Sequence, residues 1–185
     1  MSTLLDLRRE GKLRVIGVSN ADPNQLRQYM QHGPVGTAQE VFNMIDREHA
    51  ASYLPWCLSV GVGVIAYSPL AMGLLTGKCT SQRTFSEGDV RQGNRRFTGD
   101  SVERVREFLT RIEPMAKARG ITIAQLVIAW TLLQPFVSHV LCGARNPRQS
   151  TGNAIPASVG LHGQELDVVN QGIHPPTSAC PNMYR

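Results

Sequence analysis

Long apolar runs, paired cysteines and dense charged patches are all missing from this chain, and each absence removes a class of function. No stretch approaches the roughly 18 consecutive apolar residues of a membrane-spanning helix. The opening residues, Met1-Ser-Thr-Leu-Leu-Asp-Leu-Arg-Arg9, lack the basic-then-apolar order of a secretory signal. A cytoplasmic location is therefore expected. Cysteines at 57, 79, 142 and 180 are scattered, with no C-x-x-C pair and no histidine at ligand spacing. Neither a disulfide framework nor a zinc site is indicated. The net charge of +5 is spread thinly, its densest groups being Arg8-Arg9, Arg91 and Arg95-Arg96. Without aromatic interleaving or a nucleic-acid motif, this reads as a solvated basic surface, part of it available to an anionic small molecule.

What remains is a chain of ordinary globular composition, 42% hydrophobic and 18% charged. Its 185 residues suffice for one domain with a real core. They fall short of a complete (β/α)8 barrel, which takes about 250 residues and rarely fewer than about 200. Along the sequence, apolar runs alternate with helical periodicity. Residues 3 to 10 read as the end of a helix stopped by Gly11, followed by a strand over 13 to 18. Asp22-Pro23 caps a helix over 23 to 31, closed by Gly33-Pro34, and a second strand covers 37 to 42. Asp46 to Val60 reads as one helix interrupted or kinked by Pro55, leading into a strand from Val62 to Tyr67. Ser68 to Thr98 is longer than a barrel connection requires, an excess that points to function.

Asp100 or Ser101 then caps a helix that Pro114 should kink and Gly120 should end. Thr122 and Gln125 have capping-box spacing for a helix through Leu133. A fourth strand is expected at Ser138 to Cys142, a helix from Asn146-Pro147 to about Ile155, and a short helix at Leu161 to Val169. Ile173 to Arg185, with three prolines and no periodicity, is expected to be a disordered tail.

The most informative stretch is Gly63-Val-Ile-Ala-Tyr-Ser-Pro-Leu70, followed by Gly73-Leu-Leu-Thr-Gly-Lys78. A short apolar run that stops at Ser-Pro is what a buried parallel strand and its exit loop look like. Leu13-Arg-Val-Ile-Gly-Val-Ser-Asn20 and Val140-Leu-Cys-Gly-Ala-Arg-Asn146 repeat the design. Together with Gln39-Glu-Val-Phe-Asn-Met-Ile-Asp-Arg47, these stretches resemble, in order and spacing, the second half of the aldo-keto reductase barrel. The likeness covers roughly residues 1 to 172. It implies an α/β fold: a partial (β/α)8 (TIM) barrel of about four β/α units with parallel strands, with residues 1–172 as the half-barrel and 173–185 as the tail.

In such barrels the binding groups come from the carboxyl ends of strands, because the strands themselves are packed and only the loops beyond them are open. The resemblance assigns Ser19, Asn20 and Gln39 to the nicotinamide carboxamide of a dinucleotide, a group that needs both donors and acceptors. Read locally, Ser19-Asn20 is equally a helix cap and turn, and Gln39 equally a polar strand end. Tyr67 matches the aromatic on which the nicotinamide stacks. As an isolated residue it reads better as a buried strand tyrosine, and the motif behind it reverses that preference. Ser68, Pro69, Leu70 and Lys78 match the pyrophosphate region, where small residues allow close backbone approach.

The later run Gly143-Ala-Arg-Asn-Pro-Arg-Gln-Ser-Thr-Gly-Asn153 resembles the family's last strand exit. There Gly143 opens a helix N-terminus favourable to phosphate, Arg145 would meet a 2′-phosphate, Gln149 adds a polar contact and Asn153 would bond adenine. An arginine at that position implies NADP(H) as cofactor rather than NAD(H). The family usually has an acidic residue where this chain has Gly152. Arg95 and Arg96 lie in the long segment and read more simply as solvated than as cofactor contacts.

Catalysis is a separate question. The family's proton-donating tyrosine and its lysine, aspartate and histidine neighbours belong to earlier strands with no counterpart in this sequence, and no catalytic residue is assigned. The expectation is an NADP(H)-binding polypeptide of an oxidoreductase family whose reaction reduces carbonyls to alcohols, catalytically incomplete as it stands. NADPH and a small carbonyl substrate are the expected partners, with no nucleic acid and no membrane. An alternative is a non-catalytic half-barrel acting by self-association or by completing a barrel with another chain, since open sheet edges invite pairing. A truncated gene product is a third reading.

Overall fold

The computed structural model describes residues 1–172. Its elements follow one another as α1 (Ser2–Arg9), β1 (Gly17–Ser19), α2 (Pro23–His32), β2 (Thr37–Val41), α3 (Tyr53–Ser59), β3 (Gly63–Tyr67), α4 (Gly99–Ala118), α5 (Ile123–Leu132), β4 (Val137–Leu141), α6 (Pro147–Ala154) and α7 (Gly163–Asn170). Short 3₁₀ turns lie at Glu48–Ala51, Ala71–Thr76, Arg95–Phe97 and Ile155–Ser158.

Side-chain caps fix where helices begin. Asp22 accepts the N–H groups of Asn24 and Gln25 at 2.8 and 2.9 Å, and the Gln25 side chain accepts the Asp22 N–H in return. The same reciprocal pair joins Thr122 and Gln125 at the start of α5. Asn146 caps α6 by accepting from Gln149. Each such cap contributes about 0.5–2 kcal/mol relative to alanine.

The four strands form one parallel sheet in the order β1-β2-β3-β4. Alternation divides its faces. Ala38, Glu40, Val64 and Ala66 are buried on one face, in a core continued by Leu54, Leu126, Val127 and Trp130 of the helices. Thr37, Gln39, Val41, Gly63, Ile65 and Tyr67 alternate with them on the opposite face and are only half-buried, and Leu141, the register partner of Tyr67, is 54% exposed. Helices pack on one side of the sheet, so the exposed side corresponds to the interior of a closed barrel. Close packing of the strands also selects glycine once: a Cβ at Gly17 would stand 2.2 Å from Thr37 Oγ1.

The sequence reading needs correction in several places. β1 holds three residues, not the six expected over 13 to 18. Gly36 N–H still bonds the Ile16 carbonyl at 2.9 Å, but two residues earlier the neighbouring chain offers Pro34, which has no N–H to extend the ladder. The helix expected from Asp46 to Val60 is a 3₁₀ turn followed by α3; the interruption falls at Ser52, and Pro55 sits in the first turn of α3 rather than at an interruption or kink. There a missing N–H interrupts no hydrogen bond. α4 is capped at Thr98, ahead of the expected Asp100 or Ser101, and runs through Pro114 to Ala118. The tail expected over 173–185 lies outside the described residues.

Candidate functional site

The strand exits bring together residues far apart in sequence. Ser19 and Gln39 are register partners on β1 and β2, and the Asn20 N–H donates to the Gln39 carbonyl at 3.1 Å. From β3, the Tyr67 hydroxyl donates to Asn20 Oδ1 at 2.8 Å. That bond fixes the orientation of the Asn20 amide, with its oxygen committed to Tyr67 and its NH₂ turned to the other side. Ser19, Asn20, Gln39 and Tyr67 thus lie toward one end of the sheet, with Gln39 in the middle of β2.

Backbone strain is concentrated at this end. The described non-glycine residues with positive φ are Asn20, Ser68, Ala71 and Met72, all in the turns that leave β1 and β3. Gly73 continues the run at φ +97°. A left-handed L-residue costs about 1–2 kcal/mol, and such strain collects where the surrounding structure over-determines a functional conformation. Ser68, Pro69 and Leu70 form this turn, with the Ser68 carbonyl accepting from the Ala71 N–H at 3.0 Å. Lys78 sits farther along, exposed, beside a depression that Glu113, Lys117 and Thr122 also line.

The fourth exit is knit internally. The Arg145 N–H donates to Gln149 Oε1 at 2.7 Å, and Asn153 Nδ2 donates to the Gly143 carbonyl at 3.2 Å. The Arg145 side chain is exposed at the N-terminus of α6. Gly152, where the family usually has an acid, offers its carbonyl to Gln125 Nε2 at 3.0 Å and so ties α6 to the start of α5. Asp89 in the long segment lies within electrostatic reach of Arg145. Its carboxyl is held well below the ordinary range, first by side-chain hydrogen bonds from Arg91 and then by the Arg91 N–H. Arg91 therefore compensates that charge locally.

Asn43 and Asp46 were given no site role in the sequence reading, and Arg96 was expected to be solvated. Asn43 is fully buried and bonds Asp46 and the Ser68 carbonyl, and Asp46 forms an ion pair with Arg96. Arg96 is thus tied into the protein, contrary to the solvated role expected for it. The signal for Asn43 was present: an amide between Val41-Phe42 and Met44-Ile45 must find partners inside the core. Tyr53 is buried, and burial followed by the Glu40 charge pushes its phenol far above the ordinary range, while Tyr29 is on the surface.

The sequence profile of the Aldo/keto reductase family matches residues 1–171. A curated relative, the NADH-specific methylglyoxal reductase of Escherichia coli K12, is 31% identical over 171 residues, covering 92% of this chain and 52% of the relative. Among solved structures, the glycerol dehydrogenase AKR11B4 from Gluconobacter oxydans superposes with a TM-score of 0.84 at 30% identity, covering 95% of this chain and 56% of the other. An aldo/keto reductase from Klebsiella pneumoniae in complex with NADP and acetate gives a TM-score of 0.64 at 28% identity, with 90% of this chain and 50% of the other covered. The chain spans about half the length of the relatives it matches.

Proposed function

Because this chain belongs to the Aldo/keto reductase family, we propose that it carries the cofactor side of an NADP(H)-dependent oxidoreductase that reduces aldehydes or ketones to alcohols. The observation that carries this reading is the convergence of Asn20, Gln39 and Tyr67 toward one sheet end, with the Asn20 amide already oriented by the Tyr67 hydroxyl. The groups present suit a dinucleotide. Asn20 supplies a donor and Gln39 both a donor and an acceptor for a carboxamide, and Tyr67 supplies a flat face for the ring. The left-handed turn from Ser68 to Gly73 suits a diphosphate, and exposed Arg145 at the α6 N-terminus suits a 2′-phosphate. The remaining residues assigned to the site are Ser19, Pro69, Leu70, Lys78, Gly143, Gln149 and Asn153.

These side chains would bind and orient the dinucleotide, which when bound would supply the hydride. No catalytic residue is assigned among the described residues. The complex of the Klebsiella neighbour with NADP supports the 2′-phosphorylated form, whereas the Escherichia coli relative is NADH-specific; Arg145 is the residue we assign to that choice in this chain. Arg145→Ala should lose about 1.5–3 kcal/mol of NADPH affinity, the worth of a charge-assisted contact, with little change for NADH. Fluorescence titration with both dinucleotides checks this, and equal losses for the two would reject the 2′-phosphate role.

A second reading, association with a further copy or a separate chain, is favoured by the open sheet face carrying Leu141 and by the outer edges of β1 and β4, which pair with no strand among the described residues.

A further inference from the structure

The loop after β2 connects the long segment that follows Lys78 to the strained turn at Ser68. Asn43 has no exposed surface, and its amide is used on both ends. Nδ2 donates to Asp46 Oδ2 at 2.8 Å and to the Ser68 carbonyl at 3.0 Å, while Oδ1 accepts the Ile45 and Asp46 N–H groups at 2.9 Å each. Asp46 in turn receives both terminal nitrogens of Arg96, one at 2.7 Å on Oδ2 and the other closer still on Oδ1. The two charged side chains are only 15% and 11% exposed. A planar guanidinium on a carboxylate in this two-point geometry fixes orientation as well as distance. Ser68, at the far end, holds φ +56°, a conformation that persists only while its surroundings enforce it. Two donors, from Asn43 and Ala71, keep its carbonyl engaged with protein, away from any anion at the turn.

We propose that Asn43, Asp46 and Arg96 form a positioning relay that holds the Ser68 turn in its anion-accepting conformation and couples that conformation to the order of the 79–98 segment. The inference rests on the dinucleotide reading given above. None of the three touches the reacting atoms. Their effect is on the fraction of molecules whose turn is ready to bind.

Two measurements on the full chain test it. Hydrogen exchange without ligand reads the coupling directly: Arg96→Gln should accelerate exchange at residues 71–76 as well as at 79–98. NADPH titration reads the consequence. If the ready fraction drops to about one tenth, apparent affinity falls about tenfold, and Arg96→Lys, which keeps the charge without the fork, should recover part of it. A thermal unfolding midpoint close to the wild type's separates positioning from general destabilisation. Asp46→Asn, which retains a hydrogen-bond acceptor and matches the wild-type volume, provides a second variant should Arg96→Gln fold poorly, and should show the same paired effects. Unchanged exchange at 71–76 together with unchanged affinity would overturn the relay while leaving the cofactor reading intact. Failure of the wild-type chain to bind NADPH would instead overturn the cofactor reading, and the relay's positioning role with it.

Discussion

Tyr67 contributes through two separable parts of its side chain. The ring offers a face for stacking, and the hydroxyl orients the Asn20 amide at 2.8 Å. Tyr67→Phe keeps the first and removes the second, so it should weaken dinucleotide binding by about 0.5–1.5 kcal/mol, the net worth of one hydrogen bond. Tyr67→Ala should cost more, since stacking is lost as well. Fluorescence titration distinguishes them, and equal losses in the two variants would remove the orienting role from the hydroxyl. At this scale the sequence was only partly legible. Asn20 and Tyr67 stand 47 positions apart, and nothing local announces their contact. The tetrapeptide Tyr67-Ser-Pro-Leu70 did reveal the turn, because proline and small residues after an apolar run mark a strand exit. Asn43, Asp46 and Arg96 became visible only once folding brought residues 46 and 96 together, since an ion pair across 50 positions leaves no pattern in a linear reading.

Elements with caps inside their own sequence were read correctly from that sequence. α2 and α5 begin where Asp22 and Thr122 place them, because a capping box is local chemistry between residues three apart. Elements limited by their neighbours were not. β1 is short because of Pro34 on the adjacent chain, and the reading of 46–60 as one helix missed the departure that precedes α3. α7 shows how a terminal element is held from outside. Arg47 donates to the Val169 and Asn170 carbonyls at 3.1 and 3.0 Å and stacks 4.6 Å from the Trp130 ring centroid. A cation is well placed there, at the negative end of the helix dipole. At the opposite end, Arg119 grips Glu165 at 2.5 Å, and that hydrogen bond, followed by the one from the His162 N–H, lowers the Glu165 carboxyl.

Glu165 makes the α7 attachment pH-dependent, and the sign follows from the direction of its shift. Its folded-state value lies below its unfolded value, so its contribution is full above about 4.3, the ordinary glutamate value. It is then lost as pH falls through the depressed folded value. Urea midpoints of the wild type and Glu165→Gln should therefore differ at neutral pH and converge as pH falls below the ordinary glutamate value and through the depressed folded one. A difference that stays constant across that range would mean the ion pair adds nothing to stability.

For the whole molecule, the sequence reading of four parallel β/α units was correct, and one consequence is a sheet with one face packed and the other open. Leu141, 54% exposed, is part of the sheet face that a closed barrel would cover. The purified chain should accordingly be dimeric or larger, or poorly soluble, by light scattering. A soluble monomer with cooperative unfolding would show that the open face is tolerated in water. Sequence periodicity did not announce the helix-facing pattern, in which buried positions alternate strictly on β2 and β3 and include Glu40. It conveyed nothing about the opposite face, where half-buried residues mix Thr37, Gln39, Val41 and Ile65 without a hydropathy signature.

Whether the strand exits work together as one dinucleotide site is decided most directly by nuclear magnetic resonance of the chain titrated with NADPH. The side-chain amides of Asn20 after β1, Gln39 within β2 and Asn153 on α6 report the nicotinamide and adenosine ends independently. One saturating transition, with all three signals shifting together and the backbone amides from Ala71 to Thr76 shifting at the same ligand concentration, is the predicted result. Shifts confined to one end, or to residues away from the strand exits, would contradict the assignment of this surface as a cofactor site.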